Sequence, residues 1–536
     1  MIFDPLNQPF TSNRYCVTAA GGMCATGSNL AAAAGIEIMD RGGNAVDAAV
    51  AMAAALTVVE PTANGLGADS FALVWIRDQL YGLNSSGYSP SNISLEKALA
   101  KCPDGKMPRY GWLPVMVPGA VRSWPTLLKR FGRLSLKEVL EPAVRYAEGG
   151  FPVPPLTCYL WARAADQYKK HCGNDPVFRE WFHTFTNNGA AWKYGEIVRL
   201  PDHARTLRLI ADTDGDAFYK GEIAEQFVRQ SEQGGGFFSY EDLAGYESQW
   251  VDPVHVNYHG VDVWEIPPNG QGIVALMALN ILKEYRFTER SGEFVHTQLE
   301  AMKLAFADGQ AAITDPEEMD YPYEEFLKPE YGAARAGEIM ETAASPVSIV
   351  PPKGGTVYLC TADGEGNMVS YIQSNYTGFG SGVVLEGYGV ALQNRGLDFS
   401  LDPSARNVLA PHKRSYHTII PGFLTQNGKA LGPFGVMGGY MQPQGHVQVV
   451  QNLVDFHLNP QMALDAPRWQ WIRGKEILVE PEFDPGIVQS LRKRGHRIEV
   501  ADSRVSFGRG QIIIRNEQGV LTGGTESRTD SAIYCR

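Results

Sequence analysis

The stretch PPKGGTVYLCTADGEGNMVSYI, residues 351–372, decides how the rest of the chain is read. Two prolines and a glycine pair break whatever precedes them. Thr356–Cys360 and Met368–Ile372, rich in β-branched and aromatic residues, then read as two strands joined by the turn Asp363–Asn367. Upstream, Ala333–Ser348 is small, polar and weakly patterned, and the whole of 333–355 reads as a loose linker. The juncture is therefore a linker, a glycine pair, and a strand whose first residue carries a hydroxyl.

A threonine hydroxyl is a weak nucleophile that needs a neighbouring base. If the chain is cut before Thr356, the new α-amino group becomes that base, with an unperturbed pKa of about 7.7–8.0. Gly355 ahead of the cut tolerates backbone shapes that other residues do not, which would let the hydroxyl reach the preceding carbonyl. Taken alone, Gly-Gly-Thr before a strand also describes an ordinary loop-to-strand entry. The surrounding sequence decides between the two.

Working outward, Asn44 predicts a capped helix over Ala45–Val58, closed by Pro61. Its six alanines between Ala48 and Ala55 leave small side chains on nearly every side, so the helix is expected to be buried. The turn Asn64–Gly67 leads to a strand over Ser70–Trp75, a hairpin signal at Asp78-Gln79 and a second strand over Leu80–Leu83. Helices are expected around Arg122–Arg130, Ser135–Ala147 and Val295–Ala312, with a Pro-rich break at Phe151–Pro155. In the third, Leu299, Met302, Ala305 and Phe306 mark one buried face.

The composition of the 536 residues, 44% hydrophobic and 20% charged, is that of a globular protein. Forty-seven basic against 59 acidic residues give a net charge of −12, which argues against a nucleic-acid-coating protein. The opening MIFDPLNQPFTSNRYCVTAAGG has neither a basic start nor an apolar run, so no secretory signal is expected. The most apolar stretch, Ala45–Val59, carries Asp47 and falls short of the about 20 residues that cross a bilayer, so no membrane span is expected. Seven scattered cysteines without a CxxC pair read as reduced thiols, and the cytoplasm is the expected address.

There is no HExxH, P-loop or GxSxG motif, and Gly378–Gly382 fits neither phosphate-loop nor dinucleotide patterns. His255 and His259 have helical metal-ligand spacing but sit in a strand-like run, where they would lie roughly 13 Å apart. No metal site and no organic cofactor are expected.

With Thr356 at its centre, the chain resembles the γ-glutamyltransferase family, Thr-type N-terminal-nucleophile hydrolases made as one precursor. The resemblance rests on ordered blocks across nearly the whole sequence: GGNAVDAAVAMAAALTVVEP (Gly42–Pro61), IPPNGQGIVALMALNIL (Ile266–Leu282), LEAMKLAFADGQ (Leu299–Gln310), TVYLCTADGEGNMVSYIQSN (Thr356–Asn375) and GVMGGYMQPQ (Gly435–Gln444). It implies an α/β four-layer αββα sandwich, with residues 1–355 as the large subunit and 356–536 as the small one after self-cleavage between Gly355 and Thr356. Both subunits would form one body.

Carried over residue by residue, the resemblance makes Thr356 the nucleophile and Ser374 the hydroxyl that hydrogen-bonds it. Gly438 and Gly439 become the backbone donors of the oxyanion hole, where small residues let N–H groups come within about 3 Å of the developing charge. Asp398 falls on the family's acidic residue for the substrate α-ammonium group.

The rest of the pocket departs from the family pattern. Ser86 stands where glutamyl transferases carry an arginine for the α-carboxylate, His417-Thr418 replaces a Ser-Ser pair, and Tyr376, next to Asn375, replaces an asparagine. Asn375 stays among the expected substrate-binding residues. Arg395 could supply a replacement cation or simply pair with Asp398. These changes resemble the acylase-like branch of the family, which includes cephalosporin acylases. The resemblance thus implies a cofactor-free amidohydrolase or acyltransferase acting on a small amide with a charged acyl group, glutamyl- or dicarboxylate-like. A genuine γ-glutamyl transpeptidase or glutathione hydrolase, and a homologue that never matures and only binds, stay open, as does a homodimer.

Overall fold

The computed structural model describes residues 14–173, 175–346 and 355–536. Two seven-stranded sheets dominate it. In spatial order the first contains Ala532–Cys535, Gly22–Thr26, Gly355–Asp363, Met368–Tyr376, Asp69–Ile76, Gln79–Ser85 and Gln249–Val251. The second runs Val17–Ala19, Leu521–Thr525, Arg509–Arg515, Lys429–Met437, Gly422–Gln426, Val261–Glu265 and Val254–Tyr258. Neighbouring strands in both are antiparallel.

The period of two along each strand builds four layers. On Gly355–Asp363, Tyr358, Cys360 and Ala362 point into a core between the sheets that also holds Phe71, Leu73, Met437 and Ile513. The alternate residues Val357 and Leu359 face outward onto helices that include Ala45–Val59, Ala120–Phe131 and Leu136–Gly149. Phe434, Val436 and Ile512 face the opposite way from the second sheet, onto Gly272–Leu282, Gly292–Ala312 and Met441–Val454. This is the expected αββα sandwich.

The alanine-rich helix is buried along its whole length. Asn44 caps it by accepting from the N–H groups of Val46 and Asp47, and Asp47 returns the bond to the Asn44 N–H at 2.8 Å. The first hairpin turns at Arg77-Asp78, one residue earlier than the expected Asp78-Gln79, because Gln79 already pairs with Ile76. Both turn residues have positive φ, the backbone of a two-residue type I′ loop.

Two further expectations change in detail. The central strands are longer than predicted, ending at Asp363 and Tyr376, because pairing on both sides continues past the β-branched residues that define them in sequence. Part of the predicted loose linker is fastened: a helix runs Pro329–Ala336, and the N–H groups of Ala343 and Ala344 bond to Arg494 O and Glu300 Oε2. Residues 347–354 of that linker lie outside the described residues. His255 stacks on Trp264, whereas His259 sits in the next turn, bonded to Asp455 at 2.7 Å, so the two share no ligand position.

Candidate active site

Thr356 begins where the two central strands lose their regular register, between the pairs Gly355↔Tyr376 and Val357↔Gln373. The irregularity leaves its side chain at the end of the sandwich, buried, in line with the inward residues Tyr358 and Cys360. Its Oγ1 lies 3.1 Å from Ser374 Oγ. Ser374 donates its proton to the Gly355 carbonyl at 2.8 Å and accepts the Tyr376 N–H at 2.8 Å. The Thr356 hydroxyl is therefore the donor toward Ser374. One serine thus holds both the candidate nucleophile and the carbonyl ahead of it.

Tyr376 ends its strand at φ 76°, a conformation a bulky side chain adopts only when its surroundings impose it. The kink sends the phenol to Asp398, whose Oδ1 accepts from Tyr376 OH at 2.5 Å and from Tyr440 OH at 3.3 Å. Burial pushes the Asp398 carboxyl up to about 6, with Arg395 and the two phenols opposing.

Arg395 is buried beside it, its guanidinium 4.0 Å from the Tyr376 ring centre. Its Nη1 lies 3.5 Å from Asp398 Oδ2 and donates to Thr418 Oγ1 at 2.7 Å. Its Nε and Nη2, and Asp398 Oδ2, have no hydrogen-bond partner among the described residues. Asn375, next to Ser374, buries an amide whose oxygen and nitrogen are likewise unpartnered among the described residues.

His417 is joined to Asp69, Nε2 to Oδ2, at 3.1 Å, with both side chains fully buried. Burial and the nearby cations Arg395 and Arg414 keep its pKa well below the usual imidazole value. Burial also pushes Asp69 up to about 7, with Arg395 among the groups opposing. Ser86 lies in the same polar cluster, donating to Asn84 Oδ1 at 2.7 Å, while Arg414 Nε donates to the Ser86 carbonyl at 3.2 Å. A cation thus adjoins Ser86 after all, contributed by a different strand-to-strand connection.

Gly438 and Gly439 connect the strand Lys429–Met437 to the helix Met441–Val454, at φ 143° and 62°. Met437 lines a small cavity with Thr356, which brings the glycine pair to the same end of the sandwich as Thr356. The positive end of the helix dipole follows directly. A side chain on Gly438 would come within 3.2 Å of the Gly508 backbone, tight enough that the neighbouring chain would have to give way.

Sequence reasoning missed Tyr440, Asp69 and Arg414. Tyr440 follows the glycine pair directly, and Asp69 comes just after the turn Asn64–Gly67, so each had a positional signal; Arg414 had none. Away from this site, His296, Glu300 and His496 gather three potential metal-ligand atoms within 4.8 Å. Lys303 Nζ already lies 2.7 Å from Glu300 Oε1, where it supplies the positive charge.

The family profile described as Gamma-glutamyltranspeptidase matches residues 31–535. The chain is 38% identical to the "Glutathione hydrolase-like YwrD proenzyme" of Bacillus subtilis (strain 168), over 94% of this chain and 96% of that protein. It is 33% identical to the "Oxamate amidohydrolase proenzyme" of Klebsiella pneumoniae subsp. pneumoniae, over 95% and 98%. Among solved structures, a cephalosporin acylase from Bacillus halodurans superposes with a TM-score of 0.97 at 52% identity, covering 100% of this chain and 99% of that one.

Proposed function

The chain belongs to the gamma-glutamyltranspeptidase family as a hydrolase of the N-terminal-nucleophile type, and from that premise we propose that it cuts itself before Thr356 and then hydrolyses a small amide whose acyl half carries a carboxylate. The observation that carries this reading is Ser374 Oγ set between Thr356 Oγ1 and the Gly355 carbonyl, at 3.1 and 2.8 Å. After the cut, Thr356 Oγ1 attacks the substrate carbonyl while the threonine's own α-amine takes the proton. The N–H groups of Gly438 and Gly439 stabilise the oxyanion, and water, or an acceptor amine, releases the acyl group from the enzyme.

The charged acyl half is supported by the unpartnered N–H groups of Arg395, buried within reach of Tyr376, Asp398 and Thr418. A guanidinium in a site closed to water is a strong carboxylate ligand. Because Arg395 already faces Asp398, a substrate α-ammonium at Asp398 would meet a cation, so a dicarboxylic mono-amide fits better than a γ-glutamyl amide. The name of the Bacillus subtilis relative favours the second reading, a glutathione hydrolase.

The test takes purified wild-type protein, with denaturing electrophoresis and mass spectrometry to locate a cut between Gly355 and Thr356. Turnover of glutaryl- and γ-glutamyl-p-nitroanilide is then compared. Faster release from the glutaryl compound supports the dicarboxylate reading, and the reverse order supports the glutathione-like one. A single uncut, inactive chain would make it a binding homologue. We also propose a reducing, cytoplasmic compartment, supported by seven unpaired cysteines; cell fractionation tests it.

A further inference from the structure

Self-cleavage needs a base that the α-amine of the mature enzyme cannot yet be. Until the peptide bond breaks, that nitrogen is an amide whose lone pair is delocalised. Beside Thr356 lies a cavity of about 10 Å³, bounded also by Gly27, Glu60, Met437, Arg509 and Thr529. That is room for one water.

Glu60 follows the helix Ala45–Val59 and is 3% exposed. Its Oε1 accepts from Arg509 Nη1 at 3.1 Å, and its Oε2 has no hydrogen-bond partner among the described residues. A Cβ on Gly27 would come within 3.0 Å of Oε2, so a glycine there keeps the space before that oxygen open. The same turn backs the scissile peptide: a Cβ on Gly355 would lie 3.4 Å from Thr62 O and 3.5 Å from Ala63 Cα.

Resting on the reading that the chain cuts itself at Gly355–Thr356, we propose that Glu60 is the proton acceptor of that cut, reached from Thr356 through one water in this cavity. The Thr356 hydroxyl turns its proton from Ser374 to the water, which passes a proton to Glu60 Oε2. Oγ1 bonds to the Gly355 carbonyl carbon, and the negative charge on the carbonyl oxygen gathers against the Ser374 hydroxyl. The C–N bond then breaks as Glu60 returns the proton to the Thr356 nitrogen. An ester between Gly355 and the Thr356 side chain is left beside a free amine. A solvent water hydrolyses the ester, giving the Gly355 carboxylate and restoring the hydroxyl.

Burial pushes the Glu60 carboxyl up to about 7. The charged groups facing it are Arg509, which opposes the shift, and Asp530, which adds to it. Such a carboxyl both takes and returns a proton near neutrality.

The test follows cleavage of freshly synthesised precursor by denaturing electrophoresis between pH 5.5 and 8.5. The wild-type rate should rise with a midpoint near 7. Glu60→Gln should slow cleavage by about 100-fold or more and flatten that profile, and Glu60→Asp should recover part of the rate. Gly27→Ala, which keeps every charge but fills the cavity, should also slow cleavage. Wild-type protein that stays whole would overturn the self-cleavage reading itself. Wild-type cutting matched by Glu60→Gln, with the same pH profile, would overturn the role of Glu60 alone. So would restoration of the Glu60→Gln rate by hydroxylamine, which resolves esters, because the slow step would then lie after the proton transfer. A wild-type rate in Gly27→Ala would overturn the water path.

Discussion

Arg395 stands 3.5 Å from Asp398 yet leaves two of its guanidinium nitrogens, Nε and Nη2, without an acceptor among the described residues. A buried pair so incompletely satisfied could accept a third, anionic group. Arg395→Gln is therefore expected to raise KM for glutaryl-p-nitroanilide by at least about tenfold, the loss of a charge-assisted contact. Amides with a neutral acyl group should be little affected. An equal effect on both substrates would mean that the guanidinium serves the fold rather than the ligand.

The pH dependence of that contact has a definite sign. Asp398 is ionised above about 6 and protonated below it. As the pH falls from 7 to 5.5, Arg395 loses its carboxylate neighbour and the pocket becomes more positive. KM for the glutaryl substrate should fall over that window, while KM for a γ-glutamyl substrate, which brings an ammonium group, should rise. Asp398→Asn should abolish both trends in steady-state kinetics.

Ser374→Ala removes the donor to the Gly355 carbonyl and the acceptor for the Thr356 hydroxyl together. Self-cleavage is expected to slow by about 10²–10³-fold, the usual cost of losing one oxyanion donor. Thr356→Ala should leave one chain of 58.8 kDa with no activity. Thr356→Ser keeps a hydroxyl and should retain some of each. Electrophoresis with a p-nitroanilide assay reads all three variants.

Much of this was legible in the sequence because it is local. The Asn44 cap, the period-two strands and the threonine after a glycine pair all depend on residues near one another in the chain. The pocket was less so. Arg414 reaches Ser86 across |i−j| = 328, and His417 reaches Asp69 across 348, and no short pattern encodes such a meeting. The ordered blocks set the scaffold and hence the neighbourhood, but which cation faces which carbonyl is decided by how the connections between strands fold over the end of the sandwich. The linker looks loose in the sequence because weak hydrophobic patterning cannot reveal backbone bonds to Glu300 and Arg494.

Glu526 makes a second pH-dependent prediction, for stability. Although burial alone would raise its pKa, Arg468 and Arg528 bring it down to about 2. Arg468 Nη2 lies 2.8 Å from Glu526 Oε2, and Arg528 Nη1 lies 2.7 Å from Oε1. A carboxyl lowered in the folded state stabilises fully above its unfolded value, about 4.3, and loses that contribution as the pH falls toward 2. Glu526→Gln should cost about 3–5 kcal/mol at pH 7 by leaving buried guanidinium charge unpaired. The deficit should shrink below about pH 4 in chemical denaturation curves.

The first sheet has a further consequence. Its strands come from both sides of residue 355: Gly22–Thr26 lies between Ala532–Cys535 and Gly355–Asp363, and Asp69–Ile76 pairs with Met368–Tyr376. Severing the Gly355–Thr356 peptide, at one end of a central strand, removes a covalent link while the pairing from Val357 onward involves neither cut end. The two polypeptides remain plaited together, each filling gaps in the other's backbone pairing. Expressed apart, neither could close its own sheet, and they should re-form the particle only by folding in each other's presence.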